Sequence, residues 1–143
     1  MPELIAVATR SATENANAEL VQAMNVAFDK HDAAAMYAHA SDDLVESDQT
    51  RDKDTTGAKR IRDGTAQLFA AIPDAKRAPC ATKDQMCWTG YNGSSRLSDL
   101  VAADQFVVSL GVFEGKRISL PYAELFQIEG GAVKRIWRFS SRP

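Results

Sequence analysis

A helical first half followed by a run of antiparallel strands argues an α+β fold, and three patterns carry that expectation. Leu20, Val21, Met24, Ala27 and Phe28 fall at the spacing of one buried helix face. Ile61, Thr65, Leu68, Phe69 and Ile72 repeat that spacing in a later segment. From Phe106 onward the apolar residues alternate in the period of a strand, and Glu129-Gly130-Gly131 reads as a hairpin turn. Helices and strands segregated in this way favour a sheet covered on one face. The expected architecture is a cone-shaped, curved antiparallel sheet under three helices, with a pocket at its mouth.

The elements follow in order. Residues 1–11 read as an N-terminal arm. Ser11 or Thr13 suits a helix cap, with Glu14 in the first turn, and the helix runs to about Lys30. His31-Asp32 breaks it, and Asp32 caps a short second helix over 33–39. Ser41-Asp42-Asp43 reads as a turn, Leu44 to Ser47 as a short extended piece, and Gln49 to Thr56 as a polar loop. Gly57 leads into the third helix, which Pro73-Asp74 ends. Strands are expected over 97–102, 106–113, 117–128 and 133–140, with turns at Ala103-Asp104-Gln105 and Glu114-Gly115. Residues 75–95 form an atypical excursion that matches none of these patterns. The chain reads as one domain over 1–143.

Composition narrows the function classes. Hydrophobic residues make up 45% and charged residues 25% of 143, ordinary values for a globular domain with its own core. A formal charge of -2 leaves no basic footprint, which argues against a nucleic-acid partner. No apolar run approaches the ~20 residues of a membrane span, and Met1 to Arg10 lacks the pattern of a signal peptide. A cytoplasmic location is favoured. Cys80 and Cys87 read as free thiols, or as a disulfide that would imply an exported form. Two thiols without neighbouring histidines do not complete a metal site, so neither metal nor cofactor is expected.

Alternation places Leu120, Tyr122, Glu124, Phe126 and Ile128 on the more apolar face of their strand. A lone carboxylate there is costly unless it is neutralised, paired or used. Kept neutral, Glu124 could donate a proton to a substrate oxygen. Kept ionised, it needs a cation, and pairing through the Glu129–Gly131 turn brings Arg135 beside Phe126, diagonal to Glu124. Tyr122 either offers its hydroxyl to a ligand or forms pocket wall. Ser109 shares that face as a polar contact. Phe28, Phe69, Trp137 and Phe139 read as core or as a substrate platform. Asp48, ending its extended piece, is either a carboxylate base or the first residue of a solvated loop. His31 reads as a turn residue, and His39 as an exposed helix end or an inward-facing base.

Taken together, the helix running into His31-Asp32, the run Asp42-Asp43-Leu44-Val45-Glu46-Ser47-Asp48, Gly57 before a helix ending Ala71-Ile72-Pro73-Asp74, and Gly115-Lys116 ahead of Glu124-Leu125-Phe126-Gln127-Ile128 carry a resemblance. With the closing strand Val133 to Trp137, most of residues 14–140 resembles the nuclear-transport-factor-2-like superfamily, nearest the SnoaL-like polyketide cyclases and ketosteroid isomerases. The resemblance implies Asp48 at the carboxylate base and Glu124 at the second acid, with Tyr122 assisting. Met24 stands where isomerases place a tyrosine donor, the strand 106–113 lacks the histidine common in cyclases, and Arg135 stands where an acid or amide is frequent. The implied activity is cofactor-independent isomerisation, cyclisation or dehydration of an apolar carbonyl compound. Met24, Phe28, Ser109, Phe126, Arg135 and Trp137 would line the ligand site. The implied partners are a small apolar ligand and a second copy of the chain, in a homodimer. A non-catalytic ligand-binding or association protein of the same fold is the alternative.

Overall fold

The computed structural model describes residues 10–78 and 100–140. Cys80 and Cys87, the strand onset at 97–99 and most of the 75–95 excursion lie outside the described residues. Helix α1 (Ala12–Asp29) opens on a reciprocal cap: the Ser11 hydroxyl accepts from the Glu14 amide, and the Glu14 carboxylate accepts from the Ser11 amide. It ends at His31, in the left-handed region at φ 55. Asp32 caps the short α2 (Ala33–Met36), accepting from the Ala35 amide. Helix α3 (Ala58–Ala71) follows Gly57, whose φ of 104 suits a residue without Cβ.

Seven strands form one curved sheet: β1 (Ala40–Asp48), β2 (Lys53–Thr56), β3 (Lys76–Ala78), β4 (Leu100–Ala103), β5 (Phe106–Gly115), β6 (Ile118–Glu129) and β7 (Ala132–Ser140). The order is β2-β1-β7-β6-β5-β3, with β4 also paired to β5. The sheet is antiparallel except between β1 and β7, which run parallel, with α3 and the remaining strands intervening between them in the chain. All three helices pack on one face, where Val21, Phe28, Leu44, Val107, Phe126 and Ile136 form the centre of the core. No helix among the described residues is long and apolar enough to cross a membrane.

The structure departs from the sequence expectations at five places. The Ser41–Asp43 turn is part of β1, and the polar loop after Asp48 contains β2, which pairs Thr56 with Val45 through Lys53 with Asp48. An edge strand so exposed has no alternation to betray it. Leu68 is 43% exposed, so α3 buries a narrower stripe, centred on Ile61 and Phe69. The turn between β5 and β6 falls at Lys116-Arg117, after Gly115.

The fifth departure matters most. Glu129 pairs with Ala132 and Ile128 with Val133, but Gln127 then pairs with Arg135. Lys134 is thus an extra residue, and beyond this bulge Phe126 faces Ile136 and Glu124 faces Arg138. A one-residue shift exchanges the two faces of a strand. Arg135, expected beside Phe126, and Trp137, expected as core or ligand lining, lie on the face away from the helices, opposite Gln127 and Leu125. Arg138 takes the inner face.

Candidate functional site

Glu124 is where alternation put it. It lies on the helix-facing side of the sheet, with its side chain fully buried. Two arginines hold it, neither of them Arg135. Arg77 of β3 donates from Nη1 to Oε1. Arg138 of β7 donates from Nε to Oε2 at 2.8 Å, and its Nη2 lies 2.7 Å from the same oxygen. Burial alone would push the carboxyl up, but the Arg77 and Arg138 charges outweigh it and hold the pKa at about 2. Glu124 is therefore a carboxylate, not a neutral acid, at any ordinary pH.

The network continues in both directions. Arg138 Nη1 donates to Glu46 Oε1 at 2.7 Å, so two glutamates and two arginines balance in charge. The Tyr37 hydroxyl meets Glu46 at 3.4 Å and Thr65 of α3 at 3.1 Å. Burial, helped by the Glu46 charge, pushes the Tyr37 phenol up to about 12. On the other side Arg77 Nη1 donates to Asn25 Oδ1 at 2.8 Å, and Asn25 Nδ2 lies 3.3 Å from the Ser109 hydroxyl. Polar groups removed from water in this number are tolerated because nearly every one has a partner.

Tyr122 stands two residues before Glu124 on the same face, 2% exposed. Its ring stacks on Phe113 at 4.2 Å. Burial raises its phenol above the ordinary range, with the Arg77 charge pulling the other way, so the hydroxyl stays protonated. Ser109 faces Glu124 directly across the β5–β6 pair. Met24, Phe28 and Phe126 are buried in the same core. The structure thus brings Glu124, Tyr122, Ser109, Met24, Phe28 and Phe126 to one side of the sheet.

Arg135 and Trp137 lie on the other face, whereas Asp48, paired with Arg138, keeps to the helix-facing side. The Asp48 carboxylate serves its own turn, with Oδ1 accepting from the amides of Thr50 at 3.0 Å and Arg51 at 3.1 Å. Among the described residues its ion-pair partner is Arg51, at 3.7 Å. Arg135 on the outer face donates to the Ser47 hydroxyl at 3.0 Å and lies 4.8 Å from the Trp137 ring centroid. Among the histidines, His39 is exposed, and His31 is the expected turn residue, stacked on Phe69 at 4.7 Å.

Glu46, Arg77, Arg138, Tyr37 and Asn25 escaped the sequence reading. Glu46 shares the strand face of Leu44, two residues away, and that parity was visible once β1 is drawn as a full strand. Arg138 was hidden by the Lys134 bulge, and Arg77 stands at the start of the unassigned excursion.

No protein-family model matches the chain, and no curated protein matches it. Solved structures do. A protein named for the SnoaL-like polyketide cyclases from Jannaschia sp. CCS1 superposes with a TM-score of 0.72 at 13% identity, covering 93% of this chain and 90% of that one. A nuclear-transport-factor-2-like protein of unknown function from Burkholderia xenovorans LB400 gives 0.69 at 11% identity, covering 91% and 86%. A protein with a ketosteroid isomerase-like fold from Catenulispora acidiphila DSM 44928, in complex with trimethylamine, gives 0.63 at 18% identity, covering 85% and 84%. The helices on one face, the strand order and these superpositions together show that this chain has the nuclear-transport-factor-2-like fold, shared with SnoaL-like and ketosteroid isomerase-like proteins.

Proposed function

We propose that the chain is a small-molecule-binding protein whose ligand contacts the helix-facing side of the sheet around Glu124 and Tyr122. The observation that carries this reading is the state of Glu124. Both oxygens are engaged by arginines, and the group is held at a pKa of about 2. Such a carboxylate has no proton to donate near neutrality and little basicity with which to accept one. It organises two cations in a buried, aromatic-lined interior, which suits recognition better than proton transfer. The trimethylamine held by the Catenulispora neighbour supports a small organic molecule as the occupant of this fold.

A second reading keeps the chain as a cofactor-independent acid–base enzyme on an apolar carbonyl compound. Its support is the neighbours' resemblance to cyclases and isomerases. In it Asp48 is the base, Tyr122 the hydroxyl donor and Glu124 the charge that orients them. Met24, Phe28, Ser109 and Phe126 line the ligand in both readings, whereas Arg135 and Trp137 belong to the outer face.

A thermal-shift screen with ketones, lactones and small organic ions tests the first reading, because a ligand of the folded state raises its melting midpoint. The expected result is a hit whose shift vanishes in Glu124→Ala. No hit, or a shift unchanged in that variant, would remove Glu124 from the site. Deuterium incorporation next to the carbonyl of a hit compound separates the two readings. Binding alone gives no protein-dependent exchange, whereas exchange lost in Asp48→Asn would establish the enzyme.

We also propose that two copies pair through the outer sheet face. Phe139 and Val101 are 44% and 45% exposed there, and Leu125 and Trp137 are half-buried beside them.

A further inference from the structure

The guanidinium of Arg77 occupies an unusual setting. Its central carbon lies 4.6 Å from the Phe28 ring centroid, 5.1 Å from that of Phe113 and 4.9 Å from that of Tyr122. The Glu124 carboxylate and the Asn25 side-chain oxygen complete the surround, and the Arg77 side chain is only 6% exposed. Aromatic rings around a carboxylate, shielded from water, are the chemistry that recognises a small organic cation. Here the cation belongs to the chain itself and is carried on β3, a three-residue strand at the sheet edge.

The guanidinium does not fit this setting fully. Among the described residues, its Nε is buried without a hydrogen-bond partner. A buried N–H left unmade is costly. A quaternary ammonium ion carries the same charge, spreads it over methyl groups and has no N–H to leave unmet. With Arg77 removed, Glu124 still keeps one cation, because Arg138 binds its other oxygen.

We propose that Phe28, Phe113, Tyr122 and Glu124 form a binding site for a small tertiary or quaternary ammonium ion, and that Arg77 is a tethered occupant competing for it. This assignment rests on the small-molecule reading of the same interior and names the class of ligand. Tethering gives Arg77 a high local concentration, so a free ion binds the native chain weakly and binds tightly once Arg77 is gone.

The probe is tetramethylammonium chloride, compared with sodium chloride at equal ionic strength. Neopentyl alcohol serves as the uncharged analogue of the same branched shape. Melting midpoints are followed for the native chain, Arg77→Ala and the double variant Arg77→Ala, Glu124→Gln. Arg77→Ala should bind the ion at least about tenfold tighter than the native chain. The alcohol should give a smaller shift, and the double variant none with the ion. If Arg77→Ala is unfolded in sodium chloride, tetramethylammonium should restore its folded signal. No ion-dependent shift or refolding in Arg77→Ala, or an equal shift with the alcohol, overturns the assignment. Ring-proton NMR of Arg77→Ala, in which the proposed site is vacated, separates the two levels of the claim. A neutral ketone that moves the Phe28, Phe113 and Tyr122 signals while tetramethylammonium moves none defeats the cation site and leaves the small-molecule reading standing. Silence from both defeats both.

Discussion

Glu124 shows how a buried charge is kept and what it does to stability. Its carboxylate is fully buried, and it persists because Arg77 and Arg138 occupy both oxygens. Removing one member of a buried ion network strands the others, which typically costs about 3–5 kcal/mol. Glu124→Gln should lower unfolding free energy by that order in urea titration, while a change at the exposed Lys59–Asp63 pair should leave it within ~0.5 kcal/mol. The pH dependence follows from the same geometry. The folded pKa of about 2 lies below the ordinary 4.5, so the unfolded chain binds the proton more readily. The stabilisation is full above about pH 4.5 and is lost as pH falls toward 2. Its size is on the order of 3 kcal/mol. Glu124→Gln should flatten that part of the stability curve. A native curve already flat between those limits would contradict the ion network. The burial of Glu124 was legible from alternation alone, because its neighbours at 122 and 126 are aromatic. Its partners were not legible, since pairwise charge matching depends on register.

Register was decided within a single hairpin. Gly130 and Gly131, at φ 57 and 76, build the kind of tight turn that sequence patterns reveal well. The bulge at Lys134 carries no such signature, because an extra residue can be any residue. That one insertion exchanged Arg135 for Arg138 at the inner face and carried Trp137 outward. The same limit explains β2 and β3, short edge strands with no apolar alternation. The helices were legible because caps and stripes are local. Ser11→Ala should destabilise the fold by about 1 kcal/mol through loss of the reciprocal cap, measurable by denaturant midpoint. Close packing between β5 and β6 gives a sharper test. A Cβ at Gly111 would lie 2.5 Å from the Tyr122 hydroxyl and 2.7 Å from the ring carbon bearing it. Gly111→Ala should therefore cost about 1–3 kcal/mol by overpacking. It should also shift the ring signals of Tyr122 and of Phe113, on which it stacks. Unmoved signals would mean that the ring does not lie over β5.

For the molecule as a whole, the two faces of the sheet have different tasks. The inner face carries core and ion network, and the outer face carries Leu125, Trp137 and Phe139 with Arg135 laid over Trp137. If two copies meet there, Phe139→Glu should halve the mass seen by analytical ultracentrifugation without changing the circular dichroism of the fold. A native chain that sediments as a monomer would remove that interface. The inner face is tested by following the Glu124 side-chain carbonyl with carbon NMR as pH is lowered. The carboxylate signal should persist until about pH 2 and disappear only as the fold loosens. A midpoint at or above 4.5 would show a proton on Glu124 and would return the site to acid–base chemistry.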